Sequence, residues 1–121
     1  MQITYWIVAG VVAAAFLFAG TFKIVTPKEK LKASGMNWTD LYSQSAVRGI
    51  GTAEVLGAIG VIVPPLTGIA EWLAPVAAVG LAIVMIGAIR AHRKLGEPVI
   101  VNVILGLLAL AAAVLGFFVW V

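Results

Sequence analysis

PVIVNVILGLLALAAAVLGFFVW, residues Pro98–Trp120, carries no charged side chain and only two polar ones, Asn102 and the indole of Trp120. A helix of this length rises about 35 Å, more than the ~30 Å of hydrocarbon in a bilayer. A soluble domain has no place for so long a stretch that is apolar on every face, so it is read as a membrane span.

Three more spans follow on moving outward. The turn Gly96-Glu97-Pro98 places glycine at the end of one helix and proline at the start of the next, and the span before it covers 72–92, with Pro75 tolerated in its first turn. A short loop, Pro64–Glu71, leads back to a span at 46–63 that the pair Pro64-Pro65 is expected to end, proline lacking the donor a helix needs. That helix is expected to take its cap from Thr39 or Asp40. The first span, 3–25, stops before Pro27; Met1–Thr4 hold no Lys or Arg and the apolar run is too long for a signal peptide, so the helix is expected to be retained. The connector 26–45 mixes lysines with Met36, Trp38, Leu41 and Tyr42, a composition suited to the headgroup layer. The fold class is therefore all-α: one integral membrane four-helix bundle filling residues 1–121.

Composition agrees. Of 121 residues 63% are hydrophobic and 11% charged, with a mean hydropathy of +1.13, where soluble domains carry about 25% charge. Four spans of roughly 20 residues leave no room for a soluble catalytic domain. The absence of cysteine excludes disulfides, thiolate catalysis and iron–sulfur ligation, and one histidine excludes a bis-histidine haem held by this chain alone. The net charge of +3 is read as a membrane-orientation signal rather than as nucleic-acid binding. Lys23, Lys28, Lys30, Lys32 and Arg48 flank the first connector, and Arg90, Arg93 and Lys94 the third, so all eight basic residues fall at one side. The positive-inside rule puts that side in the cytoplasm and both termini outside, in a plasma or inner membrane.

Glu54 is the outlier. It lies about 12 Å past the start of its span, where a carboxylate must be protonated, paired or hydrated. Gly51, Gly57, Ala58 and Val61 share its helix face, and so small a face admits another helix closely. Comparable stripes are Ala13, Phe16, Gly20 and Lys23 in the first span, Gly80, Ile83, Gly87 and Arg90 in the third, and Asn102 and Gly106 in the fourth; each is expected to face the bundle interior. Lys23, Arg48, Glu54, Arg90, His92 and Asn102 lie toward the basic side, which predicts one polar cluster with Glu54 deepest and Arg90, Arg48 or Lys23 as its counter-ion. Such a cluster either ties the helices together, its basic side chains snorkelling to the interface, or receives a polar headgroup or proton-linked ligand. His92, with only Glu97 near, is expected to be an interfacial hydrogen-bonding residue, not a metal ligand, and no catalytic constellation is evident.

The stretch Arg48-Gly49-Ile50-Gly51-Thr52-Ala53-Glu54-Val55-Leu56-Gly57-Ala58-Ile59-Gly60, closing on Pro64-Pro65, resembles the second-helix signature of the DoxX-like membrane proteins. Phe18-Ala19-Gly20-Thr21-Phe22-Lys23 and Met85-Ile86-Gly87-Ala88-Ile89, with His92, Gly96 and Glu97, extend the resemblance over nearly the whole chain. It implies a four-helix membrane bundle, with Lys23, Arg48, Glu54, His92 and Glu97 at the family's positions. Family members include a subunit of a quinone-linked sulfur-oxidising enzyme, proteins associated with redox partners, and receptor-assembly chaperones.

Three functions are therefore compared. The first is a membrane accessory or assembly subunit that docks on a larger integral membrane partner, surrounded by lipid and binding no nucleic acid, with oligomerisation left open. The second is a quinone-linked oxidoreductase component, binding a lipophilic headgroup at the polar cluster; quinone is the one cofactor considered, and this chain alone has no evident means of holding it. The third, a small proton-coupled transporter, ranks last because the only intramembrane carboxylate is in the second span and the first has none.

Overall fold

The computed structural model describes all 121 residues. It contains five α-helices and no strand: α1 Gln2–Val25, α2 Lys28–Ala33, α3 Gln44–Thr67, α4 Leu73–Lys94 and α5 Ile100–Trp120, with a 3₁₀ turn at Asn37–Leu41. Four of these, α1, α3, α4 and α5, are long and apolar enough to cross a membrane. Each packs against its neighbour in sequence, and α1 closes the ring against α5, giving an up-down-up-down bundle. One end carries both termini and the α3–α4 loop; the other, the connector end, carries α2, the 3₁₀ turn and the α4–α5 turn.

The distribution of side chains suits lipid. Alanines fill much of the centre (Ala9, Ala58, Ala74, Ala78, Ala109, Ala112 and Ala113), interleaved with Tyr5, Val12, Phe16, Val61, Leu81 and Met85. Large apolar side chains such as Ile7, Phe18, Leu56, Ile83, Leu107 and Phe118 point outward. In water such a surface would aggregate; in hydrocarbon it costs nothing, and small interior residues let the helices approach closely.

Several boundaries differ from the sequence reading, each for a local reason. Pro64 and Pro65 do not end α3, which continues to Thr67 and closes on Gly68 in the left-handed conformation (φ 73°). Pro65 cannot donate to the carbonyl of Val61, but the Tyr5 hydroxyl does so from α1 at 2.6 Å. The cap of α3 is Ser43, whose hydroxyl accepts from the Ala46 amide at 3.1 Å; Thr39 and Asp40 are taken up in the 3₁₀ turn. Helix α5 starts at Ile100, two residues beyond Pro98.

The connector folds back on the bundle. Leu31 of α2 and Trp38 of the 3₁₀ turn are buried against Val47 of α3 and Ala91 of α4, with Phe22, Met36, Tyr42 and Ile50 around them. This small second core closes the connector end, and Lys32–Asp40 (3.0 Å) ties α2 to the turn at its exposed edge.

Candidate functional site

Two glycines place the charged pair at the centre of the site. Where α1 crosses α3, Gly20 and Gly51 bring backbone against backbone: a Cβ built on Gly20 would lie 2.5 Å from the Gly51 carbonyl oxygen, and one on Gly51 2.6 Å from that of Gly20. The helices run antiparallel as successive spans. Side chains on a helix lean toward its N-terminus. Lys23 and Glu54 each stand one turn C-terminal to their crossing glycine, so both lean back toward the crossing and converge. The Lys23 Nζ lies 2.5 Å from Glu54 Oε1.

Burial of the two partners is unequal. The Glu54 side chain is 1% exposed and that of Lys23 12%. Trp38 also faces the lysine, its ring centroid 5.5 Å from Nζ, and meets Tyr42 edge-on at 5.9 Å. The ammonium therefore contacts both a carboxylate and the face of an indole, and a cation in that setting is attracted by both. Of the three counter-ions open to Glu54 from sequence, the geometry selects Lys23.

The other residues of the expected cluster are distributed differently. His92 Nδ1 lies 3.1 Å from Glu97 Oε1, and Asn37 Nδ2 donates to Glu97 Oε2 at 3.3 Å, so the end of α4, the α4–α5 turn and the 3₁₀ turn are bound together. Arg48 and Arg90 are exposed and take part in no ion pair, and Asn102 is half-buried near the start of α5. No three of the His, Asp and Glu side chains come together as metal ligands.

The α4 stripe faces the opposite way from the sequence reading. Gly80, Ile83, Gly87 and Arg90 are all exposed, while Ala74, Ala78, Leu81 and Met85 form the packed face. In a helix apolar all round, hydropathy does not mark the inner face, and alanine served α4 there as well as glycine. The stripes on α1 and α3 do point inward: Phe16, Gly20, Gly51, Glu54, Ala58 and Val61 are buried.

Sequence reasoning did not single out Trp38, Asn37 or Tyr5 as partners of these groups. By residue type alone, Trp38 is expected at the membrane interface. Its contact with Lys23 depends on the connector folding back, for which buried Leu31 at the centre of a charged hexapeptide, KEKLKA, is the local signal.

A family model described as the DoxX-like family matches residues 7–116. No curated protein and no solved structure matches the chain.

Proposed function

The chain belongs to the DoxX-like family, and on that footing we propose that it is a small integral membrane accessory subunit that docks on a larger membrane protein. One observation carries this reading: Gly80 and Gly87, seven residues apart on the outer face of α4, have nothing within 4 Å of where a Cβ would stand, and where Gly10 on α1 and Gly49 on α3 are open singly, these two form a pair on one helix face. By contrast, Gly20, Gly51, Gly57, Gly60, Gly106 and Gly116 each meet a neighbouring helix at close range. Glycine weakens a helix by about 1 kcal/mol relative to alanine, a cost usually repaid by close packing. On α4 that packing is supplied by the helix of a partner. The charged residues deepest in the bundle, Lys23 and Glu54, are already engaged with each other, consistent with a scaffold rather than a turnover site. The basic connector end faces the cytoplasm and the termini face outward.

The test is purification from native membranes in mild detergent. A larger membrane protein is expected to co-elute with the wild-type chain and to be lost with Gly80→Leu/Gly87→Leu, while the variant keeps its helical content and thermal stability. A chain that elutes alone under every mild condition, or a partner retained by the double variant, overturns the reading.

A second reading, a quinone-linked component, draws on Lys23. Its ammonium has three donors, keeps 12% exposure and gives one hydrogen bond to Glu54; the remaining donors suit a quinone carbonyl. Unchanged respiration and thiol redox balance in a deletion strain would count against it.

A further inference from the structure

Residues 28–41 form a unit that closes on itself. The Gly35 and Met36 amides donate back to the carbonyls of Lys32 and Leu31, the Thr39 hydroxyl donates to the Met36 carbonyl at 2.8 Å, and Lys32 pairs with Asp40. Gly35, at φ 103°, makes the reversal between α2 and the 3₁₀ turn in a conformation that glycine tolerates. The hydrogen bonds that shape the unit are its own.

Its hold on the bundle is slighter. Two hydrogen bonds join it to the rest of the chain beyond its joints: the Lys28 amide to Gln44 Oε1 at 2.8 Å, and Asn37 Nδ2 to Glu97 Oε2 at 3.3 Å. The first lies at the edge of the unit and the second is exposed. Its apolar contact is a core of 4 buried residues, Leu31 and Trp38 on Val47 and Ala91, where the core of the bundle has 13. Segments with few buried apolar contacts and exposed hydrogen bonds are the ones that open while the rest stays folded. The chain is extended at both joints, with ψ 128° at Thr26 and 147° at Pro27 on one side, and 153° at Tyr42 and 164° at Ser43 on the other. Rotation there breaks no hydrogen bond within α1 or α3.

What the unit covers is the charged pair. Trp38 is 8% exposed and faces Lys23, which in turn holds the buried Glu54. We propose that residues 28–41 are a lid. They swing as one body on the joints at 26–27 and 42–43, lift Trp38 from Lys23, and bare the Lys23–Glu54 pair to the connector side while the four spans stay folded. Glu97, placed by His92 Nδ1 at 3.1 Å, is the catch from which Asn37 parts on opening. The opening admits small polar reactants to an ammonium that the closed form shields.

Two probes read the motion in the full-length protein in detergent. One is Lys23 itself, whose acetylation by an N-hydroxysuccinimide ester is followed by mass spectrometry against exposed Lys30; it requires no change beneath the lid. The other is Val47→Cys, under the lid, a single thiol in a chain without cysteine, timed with a maleimide against Ala109→Cys in the centre of the bundle. Lys23 is expected to react more slowly than Lys30, and Val47→Cys faster than Ala109→Cys. Asn37→Ala, which touches neither probe, speeds both Lys23 and Val47→Cys by about fivefold, the scale of one hydrogen bond. Leu31→Ala speeds both by about thirtyfold or more, the scale of a lost core leucine. Neither change alters the rate at Ala109→Cys. Wild-type Lys23 as reactive as Lys30 would mean that nothing shields it. Labelling of Val47→Cys no faster than of Ala109→Cys would mean that the site opens only when the bundle unfolds. Rates that Asn37→Ala leaves unchanged, or of which it moves only one, would mean that the segment does not lift as a unit. Each of these results overturns the proposal.

Discussion

The Tyr5 hydroxyl donates to the carbonyl of Val61 at 2.6 Å, and that carbonyl is the one Pro65 leaves without its i+4 donor. The hydrogen bond lies wholly inside the bundle, where no water can substitute, and it joins α1 to α3 near the end that carries the termini. Trp6 and Trp120 meet the same Tyr5 ring edge-on at 5.6 and 5.4 Å and hold the phenol in place. Two helices are thereby pinned by a defect in one of them.

Tyr5→Phe is expected to lower stability in detergent by about 1 kcal/mol, the scale of a hydrogen bond in a membrane interior plus a stranded acceptor. Pro65→Ala restores an intrahelical donor to Val61, so in that background the Tyr5→Phe penalty shrinks to the loss of the hydroxyl alone. Thermal or denaturant unfolding of the four proteins of this cycle measures the coupling. Additive effects would mean that the two residues do not serve the same carbonyl.

At the Gly20–Gly51 crossing, an added methyl meets backbone rather than a movable side chain. Gly20→Ala and Gly51→Ala are each expected to destabilise by about 1–3 kcal/mol through overpacking. Gly10, also on α1, has nothing within 4 Å of its Cβ position, and Gly10→Ala is expected to be neutral or to stabilise by up to about 1 kcal/mol through helix propensity. The opposite signs on a single helix, read by thermal unfolding, separate packing from propensity.

Lys23 and Glu54 form a pair of which the acid is almost fully buried. Removing one member leaves an uncompensated charge, so Lys23→Met is expected to cost about 3–5 kcal/mol and to lower accumulation in membranes. The joint replacement Lys23→Met/Glu54→Leu removes both charges together and is expected to cost clearly less than the two single changes summed. Because the pair is shielded from solvent, the difference persists at high salt. A double variant that loses as much as the two single changes summed would mean that the two side chains do not stabilise the fold as a pair.

How far these features are legible in the chain depends on how local their causes are. The number of spans follows from hydropathy and length, which act residue by residue, and the Gly51–Glu54–Val61 stripe on α3 follows from helical period. The persistence of α3 past Pro64 does not, since the compensating donor sits 56 residues away in sequence. The orientation of α4 is hidden for a different reason: lipid and a small-residue core accept the same side chains, so Gly80 and Gly87 look alike whether they meet a neighbour within the chain or one outside it. For Glu54, depth was readable but the partner was not, because choosing among Lys23, Arg48 and Arg90 requires knowing that α1 crosses α3 at two glycines.

Sidedness follows from placement of charge and is open to direct measurement. All eight Lys and Arg residues lie at the connector end or in the turns nearest it, while the terminal end carries Glu71 as its one charged side chain. The chain has no cysteine, so single probes can be introduced without background. Ser34 in the connector and Ile69 in the α3–α4 loop are both exposed. In intact cells Ile69→Cys is expected to react with a membrane-impermeant maleimide, and Ser34→Cys only after the membrane is opened. The reverse pattern would place the lysines of α2 against the outer leaflet and invert the bundle, and labelling of both sites from one side would mean that the four helices do not cross.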